Sequence, residues 1–414
     1  MRNKCRYVIR IAGIVIWPLF FMSCPAVNSA IEPGPGYVPL SAVAQTDGAD
    51  FEGHIKRQSA ENGVYSLIIE RPAFDGTTPM RIAVLYPSVP KSEGSSCMSP
   101  VVIAPGFSAG AFVYSEYACS LAQAGHIVFL PDIEGDYVHF IGLEPMEDPM
   151  IEADFRALQV NMEALRTDLE EYEGTDDMDY REVFRLFKGI HNGGIQDQNL
   201  CDIFRNHLFA YRSYSLDVVV RSIFEINEDV YSPLCGVIAT DRIGLEGHSL
   251  GCDEIVDAIV LQEGVGKYWW VNNINVVLLK AAQTCLQGPE HFQSVATPVF
   301  FMTGEYDNRK YIIEPNWSNF NGLQSNAGYF TLYNAGHMVF VDPPIGFLGE
   351  KLIPALGDFE NIDWESYQRN RATVLNLSAL LYEAFLDESP EAIEAVTHET
   401  YSLAGEAVTR KIQF

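Results

Sequence analysis

The chain has 414 residues, 48% of them hydrophobic, with 55 acidic against 27 basic side chains and a formal net charge of −28. That length and apolar content suffice for one large core with insertions, and exclude a disordered or fibrous chain. The acidity excludes nucleic acid and anionic lipid surfaces as partners, because like charge repels, and reads as a solubility adaptation.

Residues 1–30 have the pattern of an export signal. Arg2, Lys4, Arg6 and Arg10 form a basic start, and Ile11 to Met22 is an apolar run too short to span a bilayer comfortably and broken by Pro18. Small residues follow at Ser29 and Ala30, where cleavage is expected. Removing this segment takes away four cations and no acid, moving the balance from −28 to −32. The expected location is secreted or periplasmic. Phe21-Met-Ser-Cys24 offers a second reading, a lipoprotein anchored through Cys24, although the usual leucine is missing.

Residues 31–414 are expected to form one domain. Val64 to Glu70 and Met80 to Tyr86 read as a leading antiparallel edge. Val101 to Ala104 is a short apolar strand, followed by Gly106-Phe-Ser108-Ala-Gly110 and a helix over 112–124. Ile127 to Leu130 is a second continuous apolar run, of the kind buried on both faces of a parallel sheet. Residues 134–206 then form an insertion. Within it, Phe155, Leu158, Met162, Leu165 and Leu169 recur at three- and four-residue steps, predicting an amphipathic helix over 151–172. Such a segment either packs on the core or acts as a lid shaping a pocket; Gly189 to Gly194 is its hinge or simply a turn.

A core helix is expected over 207–225. The strand after it runs straight into Gly247-His-Ser249-Leu-Gly251, a Gly-x-Ser-x-Gly spacing with a physical reason. The serine of such a turn is pushed out above the sheet, and glycines on both sides let the flanking backbones pass closely. The spacing occurs twice, so Ser108 competes with Ser249. Trp269 and Trp270 either line a groove or pack in the core. Ile274 to Leu279 and Pro298 to Gly304 are further buried strands, the latter ending in Glu305-Tyr-Asp307. Gly328 to Tyr333 ends in Asn334-Ala-Gly-His337. A histidine just past a strand end can direct one ring nitrogen at a serine and the other at a carboxylate, with Asp307 the candidate and Glu305 and Asp342 its competitors. Residues 365–386 are the expected last core helix, and 388–414 an extension of unassigned role.

Beyond Cys5 and Cys24 there are six cysteines, Cys97, Cys119, Cys201, Cys235, Cys252 and Cys285. An even number in an oxidising compartment predicts up to three disulfides, among 15 connectivities. Cys252 with Cys285 is one candidate staple under the serine turn. No spacing resembles a metal or haem site, and no cofactor is expected.

The blocks Pro100-Val-Val-Ile-Ala-Pro-Gly-Phe107, Tyr114-x-x-x-Ala-x-x-Leu-Ala-x-x-Gly-His-Ile-Val-Phe-Leu-Pro-Asp132, Asp241-Arg-Ile-Gly-Leu-Glu-Gly-His-Ser-Leu-Gly251 and Ala335-Gly-His-Met-Val-Phe340 resemble the α/β-hydrolases. The similarity is to the dienelactone-hydrolase-like and platelet-activating-factor-acetylhydrolase-like branch, and equally to bacterial cutinases and polyesterases. It covers roughly residues 64–133 and 208–387. It implies a mostly parallel sheet with helices on both faces and an inserted cap. Triad order in that fold is serine, acid, histidine, which favours Ser249 over Ser108 and implies Asp307 and His337 as partners. It also implies oxyanion N–H groups from Phe107 and Leu250. Two departures stand out, Cys252 where glycine is common and the long insertion after Asp132. Dienelactone hydrolases themselves use cysteine where this chain has serine. The implied activity is hydrolysis of a carboxylic ester (lipid, small ester or polyester), with a lipid or polymer surface as a partner. An amidase or peptidase on the same triad, and a non-catalytic binding protein on the same scaffold, are the other two readings. Oligomeric state is not legible.

Overall fold

Nine strands share one sheet in the computed structural model, which describes residues 51–72, 80–88, 97–106, 111–132, 162–179, 182–183, 185–186, 197–208, 210–260, 268–282, 289–307, 309–343, 346, 362–397 and 408–413. In chain order the elements are α1 (Phe51–Glu61), β1 (Val64–Arg71), β2 (Met80–Pro87), β3 (Pro100–Ala104), α2 (Ser115–Gln123), β4 (Ile127–Asp132), α3 (Met162–Glu173), α4 (Gln198–Leu208) and α5 (Ala210–Glu228). There follow β5 (Ile243–His248), α6 (Leu250–Val260), β6 (Ile274–Lys280), β7 (Val299–Gly304), α7 (Glu314–Gly322), β8 (Ala327–Leu332), α8 (Trp364–Phe385), α9 (Pro390–Thr397) and β9 (Val408–Gln413).

The spatial order is β1-β2-β4-β3-β5-β6-β7-β8-β9. β1, β2 and β4 pair antiparallel, β4 through β8 run parallel, and β9 returns antiparallel against β8. Side chains alternate between two cores, one on each face, as a pleated strand requires. From β3, Val101 and Ile103 enter one core while Val102 and Ala104 enter the other; from β6, Val276 and Leu278 part from Val277 and Leu279 in the same way. The first core is closed by α1, α2 and α8 through Ile55, Tyr117 and Leu381; the second by α5, α6 and α7 through Val219, Ile255 and Phe320. Burial on both faces explains why these strands read as uninterrupted Val/Ile/Leu/Phe runs rather than as alternation.

The antiparallel edge, the parallel core strands and the last core helix fall where the sequence placed them. Two helix expectations change, and two open readings, the C-terminal extension and the tryptophan pair, are filled in. The helix expected over 112–124 opens as a tight 3-10 turn, Ala111–Tyr114, before α2. The single helix expected over 207–225 is the second of two, α4 and α5, which follow closely along the chain. The extension 388–414 contributes α9, packed on α8 through Ala392 and Val396, and β9, the ninth strand. Trp270 is fully buried and its indole N–H donates to Asp217 (2.8 Å), so it belongs to the core; Trp269 lies half exposed against Phe224.

The disulfide expectation is also corrected. None of Cys97, Cys119, Cys201, Cys235 and Cys252 is in a disulfide, and the buried Cys252 thiol donates to the Lys280 carbonyl instead. Cys285, the export segment 1–30, residues 133–161 and the Gly189–Gly194 turn lie outside the described residues. Of the insertion helix expected over 151–172, the described part is α3, whose Leu165 and Leu169 are buried. Among the described residues no helix is long and apolar enough to cross a membrane.

Candidate active site

β5 ends in His248, and Ser249 follows at φ +53, in the left-handed region that costs a residue with a Cβ about 1–3 kcal/mol. Two neighbours hold the strained turn. The Ser249 N–H donates to the carbonyl of Lys280 on β6 (2.9 Å), and the Cys252 N–H donates to the Ser249 carbonyl (3.0 Å). The flanking glycines are required by contact. A Cβ on Gly247 would sit 2.6 Å from the Cys252 nitrogen, and one on Gly251 would sit 2.1 Å from the Ala104 carbonyl oxygen. Leu250 is the first residue of α6, so its N–H is among those that a helix start leaves without an intrahelical acceptor. Phe107 and Ser108 lie outside the described residues.

Two strands away, the turns after β7 and β8 are stapled to each other. Tyr306 N–H donates to the Ala335 carbonyl (2.9 Å), Asn334 N–H to the Glu305 carboxylate (3.0 Å), and the Tyr306 hydroxyl to the Asn334 side chain (3.1 Å). Gly304 makes this closeness sterically feasible, since a Cβ there would lie 2.4 Å from the Ala335 carbonyl oxygen. The buried Asp307 carboxylate accepts the Gly304 N–H (2.7 Å) with one oxygen and faces Nδ1 of buried His337 (3.1 Å) with the other. A carboxylate only accepts, so Nδ1 carries the proton and Nε2 is left as the acceptor.

The competing acids have other work. Glu305 is exposed and caps the Asn334 turn. Asp342 is buried, pairs with Arg371, and accepts the Glu116 and Tyr117 N–H groups at the start of α2 (2.7 and 3.1 Å). It therefore pins the segment after His337 to α2.

Ser249, Asp307 and His337 thus stand at the ends of β5, β7 and β8, on the same edge of the sheet. His248, next to the serine, lies with its ring 4.9 Å from that of His337 and donates from Nε2 to the His337 carbonyl (3.0 Å). Among the described residues no hydrogen bond joins the Ser249 hydroxyl to the His337 ring.

The buried polar residues beneath this edge went unnoticed in the sequence. Glu246 on β5 meets Lys280 on β6 (2.9 Å) and accepts the Tyr117 and Tyr382 hydroxyls (2.8 and 2.7 Å); Lys280 also donates to Tyr117. Burial outweighs the Glu246 charge and pulls the Lys280 ammonium down to about 8. On the opposite face, fully buried Arg212 of α5 pairs with Glu254 of α6 (2.5 Å) and donates to the Pro105 carbonyl. The available signal was a lone charge inside an otherwise apolar strand, at Glu246 and at Lys280. Among the described residues no group of three or more His, Cys, Asp and Glu side chains is placed to hold a metal ion.

No family model matches the chain, and no curated protein does. Among solved structures it is similar to a dienelactone hydrolase from Anabaena variabilis, at 14% identity and a TM-score of 0.41, over 78% of this chain and 99% of that one. Independently of that similarity, the sheet runs in the order β1-β2-β4-β3-β5-β6-β7-β8, parallel from β4 onward, with a strained serine turn between β5 and α6, Asp307 in the turn after β7 and His337 in the turn after β8. With that strand order and those turns, the chain has the α/β-hydrolase fold.

Proposed function

We propose that the protein is an exported serine hydrolase of carboxylic esters, with Ser249 as nucleophile, His337 as general base and Asp307 as its orienter. One observation carries this reading: a serine held at φ +53 on the edge of the sheet where a buried Asp307–His337 pair leaves Nε2 as an acceptor. A strained backbone stabilised by two hydrogen bonds and two obligatory glycines has no packing purpose of its own.

In the first step His337 Nε2 takes the Ser249 proton as the oxygen attacks the ester carbonyl. Asp307 keeps the proton on Nδ1 and stabilises the imidazolium. The N–H groups of Leu250 and Phe107 stabilise the oxyanion, each donor lowering the barrier by about 3 kcal/mol. The imidazolium then protonates the departing alcohol, leaving an acyl-serine. Water attacks that ester with His337 again as base, and the acid leaves. In the substrate complex the Ser249 hydroxyl donates to His337 Nε2, since catalytic hydrogen bonds tighten on substrate binding.

The test is hydrolysis of p-nitrophenyl butyrate by purified Ser249→Ala and Ser108→Ala variants. The first is expected to lose about 10³-fold or more in kcat while staying folded, and the second to keep most of it. A fluorophosphonate probe should label wild type and leave Ser249→Ala unlabelled. The reverse pattern overturns the assignment. An unlabelled, inactive wild type would favour a binding protein.

A further inference from the structure

His248 and Tyr114 are not members of the triad, yet both are almost fully buried at its centre and polar. The Gly106 N–H donates to the Tyr114 oxygen (3.0 Å), and the Tyr114 hydroxyl meets His248 Nδ1 (2.8 Å). His248 Nε2 meets the His337 carbonyl (3.0 Å). Proton bookkeeping leaves one assignment. A carbonyl only accepts, so Nε2 carries the hydrogen, and Nδ1 of a neutral ring must accept from Tyr114. The tyrosine oxygen can then accept from Gly106 with its own proton already committed. Every donor in the series points the same way, from the loop after β3, through the serine turn, to the main chain of the triad histidine.

Packing supports the same unit. A Cβ on Gly106 would lie 3.2 Å from both the His248 ring and the Tyr114 hydroxyl, so this glycine is seated on the pair. The Phe340 ring packs against His248 at 5.6 Å between centroids, and the Asp342 N–H donates to the Val113 carbonyl (2.8 Å). The three segments brought together carry Phe107, Ser249 and His337, the residues assigned above to the oxyanion site, the nucleophile and the base.

We infer that Tyr114 and His248 form a positioning brace, in which a neutral His248 fixes the His337 backbone relative to the Ser249 turn and the Gly106 loop. This rests on the hydrolase reading above. The brace touches no reacting atom. It acts by holding the His337 ring where Nε2 can reach the serine, and a displacement of about 1 Å there costs on the order of 100-fold in rate. Its loss therefore falls on kcat and leaves KM nearly unchanged, since the pocket that binds the ester is not altered.

The experiment uses the full chain with p-nitrophenyl butyrate. His248→Leu removes both bonds and is expected to lower kcat about 30- to 100-fold, with KM within about threefold. His248→Gln keeps one acceptor and one donor on a neutral side chain and should recover most of that loss. Tyr114→Phe should lower kcat too, and the Tyr114→Phe/His248→Leu double variant should be no slower than His248→Leu alone, because the two act as one unit. Nitrogen-15 spectra should show His248 as the Nε2–H tautomer at pH 7. The brace is overturned if His248→Leu turns over like wild type, if His248→Gln is as slow as His248→Leu, or if the two losses multiply. Ser249→Ala separates the two levels. An inert Ser249→Ala beside an unimpaired His248→Leu sinks only the brace, whereas an active Ser249→Ala sinks the hydrolase reading and the brace with it.

Discussion

His248 shows how much a single buried ring can contribute besides chemistry. Burial first, and then the neighbouring His337, pushes its imidazole well below the ordinary 6.5. The positive charges of Lys280 and Arg371 act in the same direction, and Tyr114 faces it as a donor. The folded protein thus binds no proton at His248 in a range where the unfolded chain does. Stability is fully present above about pH 6.5 and falls as the pH drops below it, because protons then favour the unfolded chain. The expected outcome is a urea midpoint that drops between pH 7 and pH 5.5 in wild type, and drops less in His248→Gln. An identical drop in both proteins would remove this residue from the account. Ser249, Asp307 and His337 were legible as candidates in the sequence because each stands beside a glycine-containing strand end. The acceptor and donor roles at His248 were not, because its partners Tyr114 and His337 are remote along the chain.

At the scale of elements, β5 and β6 carry Glu246 and Lys280 side by side, buried among apolar strands. An ion pair out of water gains less than it appears to, since both groups lose hydration; removing one partner is costly because the other is stranded. Lys280→Met is expected to destabilise the fold by about 3–5 kcal/mol in denaturant titration. Glu246→Gln/Lys280→Met should be markedly more stable than Lys280→Met alone, since the amide still accepts the two tyrosine hydroxyls without leaving a bare carboxylate. A double variant at least as unstable as the single one contradicts this. The strands themselves were legible: continuous apolar runs with glycine or proline at their ends admit little else in a chain of this length. The break between α4 and α5 was not, because both halves carry apolar residues at helical spacing.

For the whole molecule, a formal charge of −28 opposes compaction through self-repulsion, and salt screens that repulsion over about 10 Å at 0.1 M. The melting temperature should therefore rise between 10 mM and 300 mM sodium chloride. A fall would mean that specific ion pairs, such as Arg212–Glu254 and Lys280–Glu246, outweigh the net charge. The same scale decides the fate of the C-terminal region. Read alone, residues 388–414 are an extension without a role, yet β9 completes the sheet against β8 and α9 packs beside α8. Even cysteine count misled: six thiols suggested staples, while those at Cys119 and Cys252 fill core space and none of the five described is bridged.

Local pattern by itself determined the class of fold, the order of its strands along the chain, and the three residue types at their ends. Those depend on periodicity and on turn chemistry, which act over a few residues. Tertiary structure alone decided which polar groups meet: Asp307 with His337, Glu246 with Lys280, and Tyr114 with His248. These partners are 30 or more residues apart along the chain, with at least one helix between the two members of each pair, so their meeting is set by sheet order and register, to which neither partner's neighbours in sequence contribute.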